Sequence, residues 1–217
     1  TDGTTFYLAR TAEELEDRQR LALGQYVWRA ANGHDALFED CVGPSCYAKS
    51  QGTVVRIWGL LVAGVLFVQV LKPKEVMNTE RYDWLVSNIF PLWLEGAVRG
   101  CGSRRAKVYL VQDHEKCLWS EDARAAMEDE NIELLDFPKC SQDLNPIEVA
   151  WREVKARLNE TMPTHFETRQ QFIRRMRLAV AWVNKNRASY LKAICTSQKE
   201  WARDCLRASP PGGRTKH

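Results

Sequence analysis

Apolar residues fall along this chain in two rhythms, and the change of rhythm marks the elements. "TTFYL" (4–8) reads as a short strand, and "TAEELEDRQRLAL" (11–23) has helical composition with Thr11 and Glu14 in capping-box spacing. "QYVWRAA" (25–31) suits a strand, and the breaker-rich stretch 32–53 suits a loop. The most apolar run is "VVRIWGLLVAGVLFVQVL" (54–71). Its length approaches that of a membrane span. Arg56 and Gln69 interrupt it, however, and Ala63-Gly64 offers a turn between two Val- and Leu-rich halves. Two buried strands in a hairpin fit better than one helix.

The second half changes to the helical period. In 78–100, Tyr82, Leu85, Val86, Ile89, Leu92 and Trp93 recur near helical spacing. Asn78 or Thr79 supplies a cap, and Pro91 should kink or divide the helix. "AKVYLVQD" (106–113) reads as a buried strand ending on Asp113. "SEDARAAMEDE" (120–130) reads as a helix capped by Ser120, with acids in its first turn. "NIELLDF" (131–137) is another strand, and a polar loop then leads into an amphipathic helix from Asn145-Pro146. Residues 166–194 read as helical and strongly basic, and the tail 209–217 as flexible. Strands first, then alternating helices and strands, predict a mixed α/β sheet with helices packed on its faces.

Composition sharpens this picture. The 217 residues, eight Trp among them, suffice for one ordinary core. Seven Cys (41, 46, 101, 117, 140, 195, 205) show no regular spacing. An odd count without a signal segment argues for reduced thiols in an intracellular, non-secreted protein. Cys41 and Cys46 would be half a zinc site, but no second pair or suitable His follows. The net charge of +3 hides an asymmetry: 15 of the 31 Lys and Arg, but 5 of the 28 Asp and Glu, lie from Trp151 onward. The acidic part suits cations and the basic part suits phosphates, although solvated helix faces explain any single charge equally well.

Two acids stand where chemistry gathers. Asp113 ends a strand, and ligand sites in open α/β sheets collect at strand carboxyl ends. Glu148 begins the helix after the next strand, with 34 residues between the two. If those strands run parallel, the chain returns to the same sheet edge and the acids can meet. Carboxylates converging from several elements can hold a pair of Mg²⁺ or Mn²⁺ ions about 4 Å apart for phosphodiester chemistry. A second use of Glu148 stays open: Asn145 as cap, Pro146 at the first helical position and Glu148 at the third form a capping-box arrangement, the commoner use of such a carboxylate.

Together, "VYLVQDHEKCLW" and "ELLDFPKCSQDLNPIEVAWREVKARL" resemble the catalytic domain of the Tc1/mariner and IS630-type DDE transposases. The family shows a strand ending in Gln-Asp (here Gln112-Asp113). A Ser-x-Asp-Leu-Asn-Pro-Ile-Glu loop (here Ser141 to Glu148) then enters a helix with an aromatic and a basic face (Trp151, Lys155). "RIWGLLVAG" (56–64) looks like the family's Trp-Gly strand, and "NTERYDWLV" (78–86) like the helix after it. The resemblance covers residues 1 to about 160.

It implies an RNase H-like core over 1–160 and a basic helical extension over 161–217. It also implies metal-binding catalytic acids at Asp2, Asp113 and Glu148, two Mg²⁺ or Mn²⁺ ions, and DNA cleavage with strand transfer. DNA contacts are expected from Arg152, Lys155, Arg174, Arg175 and Arg177, with Lys185, Arg187 and Lys192 as further candidates. His114 and Asn145 would support the acids; Asp143 and Glu115 are lesser candidates. Expected partners are transposon ends, target DNA and a second copy in a homodimer, with no membrane. The location would be the nucleus in a eukaryote, otherwise cytoplasm or nucleoid.

The sequence departs from the family pattern in places. Gly3 stands where the family carries Glu after the first acid, and Gln142 where Pro is common. The apolar residues expected before Asp2, and the family's DNA-binding region, do not precede Thr1. This leads to the expectation of a fragment or decayed element lacking most of its first strand. A catalytically inactive, transposase-derived binding protein is the alternative, and an RNase H-like nuclease with another substrate is a third.

Overall fold

The computed structural model describes residues 1–8, 15, 54–98, 107–113, 115–135 and 145–207, with backbone alone at 98, 116 and 198–207. The expectations for 25–31, 32–53, Cys41, Cys46, the loop 136–144 and the tail fall outside these residues. So do all but one residue of the helix expected over 11–23.

Strands β1 (Asp2–Tyr7), β2 (Val54–Val62) and β3 (Val65–Val70) form an antiparallel sheet in that order. The β2–β3 hairpin closes through Ala63 and Gly64, both at positive φ (50° and 87°), the two-residue geometry whose twist suits a hairpin. The apolar run splits here because β2 is central and covered on both faces. Val55, Ile57 and Leu61 face one hydrophobic cluster, while Trp58, Leu60 and Val62 face another. The first strand does form over Asp2–Tyr7, paired to β2 along its whole length. Asp2 and Gly59 are partners in this ladder.

Helices α1 (Thr79–Asn88) and α2 (Phe90–Val98) follow. Asn78 caps α1, accepting from the Arg81 N–H at 2.9 Å. The division at Ile89 places Pro91 in the first turn of α2, where its missing N–H costs nothing. Strand β4 (Val108–Leu110) then pairs parallel with β5 (Ile132–Leu134) across α3 (Glu121–Asp129), as the sequence reading required. The two sheets meet at Thr1, whose backbone nitrogen donates to Val111 O at 2.6 Å and whose hydroxyl donates to Gly59 O at 2.6 Å.

Helices α4 (Pro146–Glu160), α5 (Arg169–Asn186) and α6 (Ala188–Arg207) cover the other face. The single basic helix expected over 166–194 is two helices, broken at Arg187. No Gly or Pro announces the break. The first turn of α6 lies against the hairpin turn: a Cβ on Gly64 would fall 2.4 Å from Ala188 O. Phe172, Met176, Val183 and Leu191 share one cluster with Ile57 and Trp151, so these helices complete the core rather than extend from it. Among the described residues no helix is long and apolar enough to cross a membrane.

Candidate active site

Asp2 and Glu148 approach from different elements. Asp2 opens β1, with Gly59 of β2 as its ladder partner. Glu148 lies in the first turn of α4, whose Ile147, Ala150, Trp151, Val154 and Leu158 are buried against the sheet. That packing presents Glu148 to the edge where β1 begins, and its carboxyl comes within hydrogen-bonding reach of the Asp2 carboxyl. Such a bond needs one proton between two acids. Burial first, then this bond, and then the charge of Glu148, push the Asp2 pKa up from 3.8 to about 7.

The cap of α4 uses other atoms. Asn145 is buried, and its side-chain oxygen accepts from the Ile147 N–H at 3.4 Å, while Pro146 occupies the first turn. The Glu148 N–H reaches Asn145 O at 3.1 Å through the backbone. Asn145 is thus the helix cap, and the Glu148 carboxyl is engaged with Asp2.

Asp113 lies three residues past the end of β4 and is partly exposed. Its surroundings are firmly built. Gln112, buried next to it, accepts from the Tyr82 hydroxyl and donates to Leu118 O at 2.9 Å. The Trp119 indole donates to Asp113 O at 3.0 Å. Burial, chiefly, lowers the Thr1 amine to about 6, against the charges of Asp2 and Asp113, which both lie near enough to act on it. The structure therefore brings Asp2 and Glu148 into contact and Asp113 to the same neighbourhood. Among the described residues, no three acids, Cys or His close into a group able to hold a metal ion. The donor set nonetheless fits a hard cation: all three candidates offer carboxylate oxygen, and two carboxyls near enough to share a proton are near enough to share Mg²⁺ or Mn²⁺.

Other candidates divide. Arg152, one turn beyond Glu148, is exposed and donates to the Tyr190 hydroxyl at 3.2 Å. Lys155, Arg174 and Arg177 are exposed, and the last two line a shallow groove with Gln170, Ile173 and Leu178. Lys185 and Lys192 are also exposed. Arg187 pairs with Glu153 at 3.1 Å. Arg175 differs from the expectation: it grips Glu167 through two bonds (2.7 and 2.6 Å) and donates to Leu158 O at 2.9 Å. Those bonds commit it to tying the α4–α5 connection. Glu115 is exposed and accepts from the Cys117 thiol at 3.9 Å. His114 and Asp143 lie outside the described residues.

Sequence reasoning assigned no role to Tyr82, Trp119, Tyr190 or Gly59. Their signal is weak, because an aromatic at helical spacing or a glycine in a strand reads first as packing. Gly3 has a local reason: a Cβ there would lie 2.8 Å from Cε3 of Trp58, whose indole donates to the Thr1 hydroxyl at 2.8 Å.

A family model described as "DDE superfamily endonuclease" matches residues 65–173. Among solved structures, the Mos1 transposase paired-end complex with left transposon end is similar at 15% identity and TM-score 0.61, over 97% of this chain and 54% of that one. This chain thus spans about half the length of that transposase. The catalytic domain of Mos1 mariner transposase aligns at 15% identity and TM-score 0.57, over 76% of this chain and 77% of that one. The same domain with Raltegravir and Mn gives 15% and 0.57 over 76% and 78%. No curated protein matches.

Proposed function

The chain belongs to the DDE superfamily endonucleases and has the fold of a mariner transposase catalytic domain. From that premise we propose that it is the catalytic core of a Tc1/mariner-type transposase, cutting DNA at transposon ends and joining the freed 3′-hydroxyl to target DNA. The observation that carries this reading is the approach of the Asp2 and Glu148 carboxyls, made across two elements beside Thr1, whose amine also feels the charge of Asp113.

In this reading Asp2, Asp113 and Glu148 are the catalytic acids and would hold two Mg²⁺ or Mn²⁺ ions. Bound there, the ions would activate the attacking water or hydroxyl and stabilise the leaving oxygen. The chain's own contribution is positional. Asn145 and Pro146 fix the first turn of α4, and Gln112, Tyr82 and Trp119 fix the backbone at Asp113. With its pKa near 7, Asp2 must give up its proton for cation binding at neutral pH. Exposed Arg152, Lys155, Arg174 and Arg177 serve as phosphate contacts. DNA, a second copy of the chain and a nuclear location in a eukaryotic cell complete the proposal. The Mos1 structures support it so far as they contain transposon-end DNA, Mn or Mg.

The test is cleavage and strand transfer on end-containing DNA with Mg²⁺ or Mn²⁺, comparing wild type with Glu148→Gln. Wild type should do both and the folded variant neither. Cleavage without joining points to a nuclease with another task. Cutting by Glu148→Gln at the wild-type rate removes Glu148 from the mechanism.

A further inference from the structure

Gly59 sits at a close contact between the sheet and α4. A Cβ on it would lie 2.5 Å from Cζ2 and 2.8 Å from Cη2 of Trp151, and 3.2 Å from Cδ1 of Ile147. These distances fall inside van der Waals contact, so the helix rests on a backbone without a side chain. Gly59 is also the ladder partner of Asp2. Ile147 and Trp151 lie one before and three after Glu148. One contact therefore joins the residue opposite the first acid to the two helix residues that bracket the third.

Trp151 is fully buried, and among the described residues its indole N–H has no hydrogen-bond partner. An unpaired buried donor is a cost. Its ring is thus held by shape against Gly59, and not by a polar bond that would fix it elsewhere.

We propose that Gly59 and Trp151 are positioning residues: their contact sets the height of α4 above β2 and so the separation of the Asp2 and Glu148 carboxylates. This rests on the catalytic reading above for its consequence, the spacing of ligands for a divalent cation. A side chain at 59 pushes Trp151 and Ile147 outward and lifts Glu148 off Asp2. Phenylalanine at 151 lacks the outer ring atoms that a Cβ at 59 would strike, so it should relieve the clash.

The experiment compares wild type, Gly59→Ala, Trp151→Phe and the double variant. It reads metal-free thermal midpoints, Mn²⁺ affinity by calorimetry, and the Asp2–Glu148 oxygen separation in metal-free crystals. Gly59→Ala should widen that separation and weaken Mn²⁺ binding by roughly 10- to 100-fold, the range for residues that orient ligands. The double variant should recover most of both. Wild-type affinity and separation in a folded Gly59→Ala overturn the proposal, as does a folded double variant that recovers stability but not affinity. If Gly59→Ala fails to fold, Trp151→Phe decides: unchanged separation and affinity overturn the proposal, and a change in both supports it. If wild type binds no Mn²⁺, the catalytic reading fails, and the crystal separations alone decide the spacer.

Discussion

Asp2 carries the sharpest consequence at the scale of one residue. A carboxyl whose pKa rises from 3.8 unfolded to about 7 folded binds more proton in the native state between those values. Its contribution to stability is therefore full below about pH 4 and is lost as pH rises through about 7. In chelator, the wild-type melting temperature should fall over that window relative to Asp2→Asn, which has no proton to lose. The buried Thr1 amine titrates in the opposite sense and feels the Asp2 charge, so the difference between the two proteins reports the carboxyl together with its coupling to that amine. At neutral pH, Mn²⁺ should raise the melting temperature of wild type and leave that of Asp2→Asn unchanged. Equal pH profiles for the two proteins would contradict the shared proton. The strand end pointed to Asp113 and the loop motif to Glu148, whereas Asp2 was reached only through the family resemblance. The contact between Asp2 and Glu148 was not legible in sequence, because local spacing around Glu148 fits a helix cap equally well.

At the scale of elements, two polar anchors hold the frame around the site. Asn184 of α5 both accepts from the Leu66 N–H at 2.8 Å and donates to Leu66 O at 2.9 Å. Leu66 lies on β3, at the edge of the three-stranded sheet, so one side-chain amide closes a rung that would otherwise invite another strand. Asn184→Ala should cost about 1–3 kcal/mol, the loss expected when backbone groups go unpaired, and should promote association seen by light scattering. Gln112→Leu should cost a similar ~1–3 kcal/mol in a denaturant melt, because it strands the Tyr82 hydroxyl and Leu118 O. The hairpin with its turn, β4, β5 and the caps of α1, α3 and α4 could be read from periodicity and local sequence. The break at Arg187 could not: no Gly or Pro marks it, and the first turn of α6 packs against the hairpin turn, a contact between residues far apart in sequence.

Across the whole molecule, the basic bias after Trp151 resolves into two uses. Arg175 is bound within the fold, while Arg174 and Arg177 beside it are exposed. Composition shows the charge, but only the helix phase shows which guanidinium faces solvent. If the exposed pair contacts phosphate, Arg174→Ala and Arg177→Ala should each reduce the salt dependence of DNA binding by about one unit of slope. Arg175→Ala should leave that slope unchanged and lower the melting temperature. An unchanged slope in the exposed variants would take this face out of the DNA path.

The central claim is that Asp2, Asp113 and Glu148 form one cation site, and a crystal structure grown with Mn²⁺ tests it most directly. The account predicts anomalous density between the carboxylates, with oxygens of all three on one ion or on two ions about 4 Å apart. The Asp2–Glu148 hydrogen bond should then be replaced by shared coordination. Asp2 and Glu148 still bonded to each other at saturating Mn²⁺, with no ion beside Asp113, would contradict it.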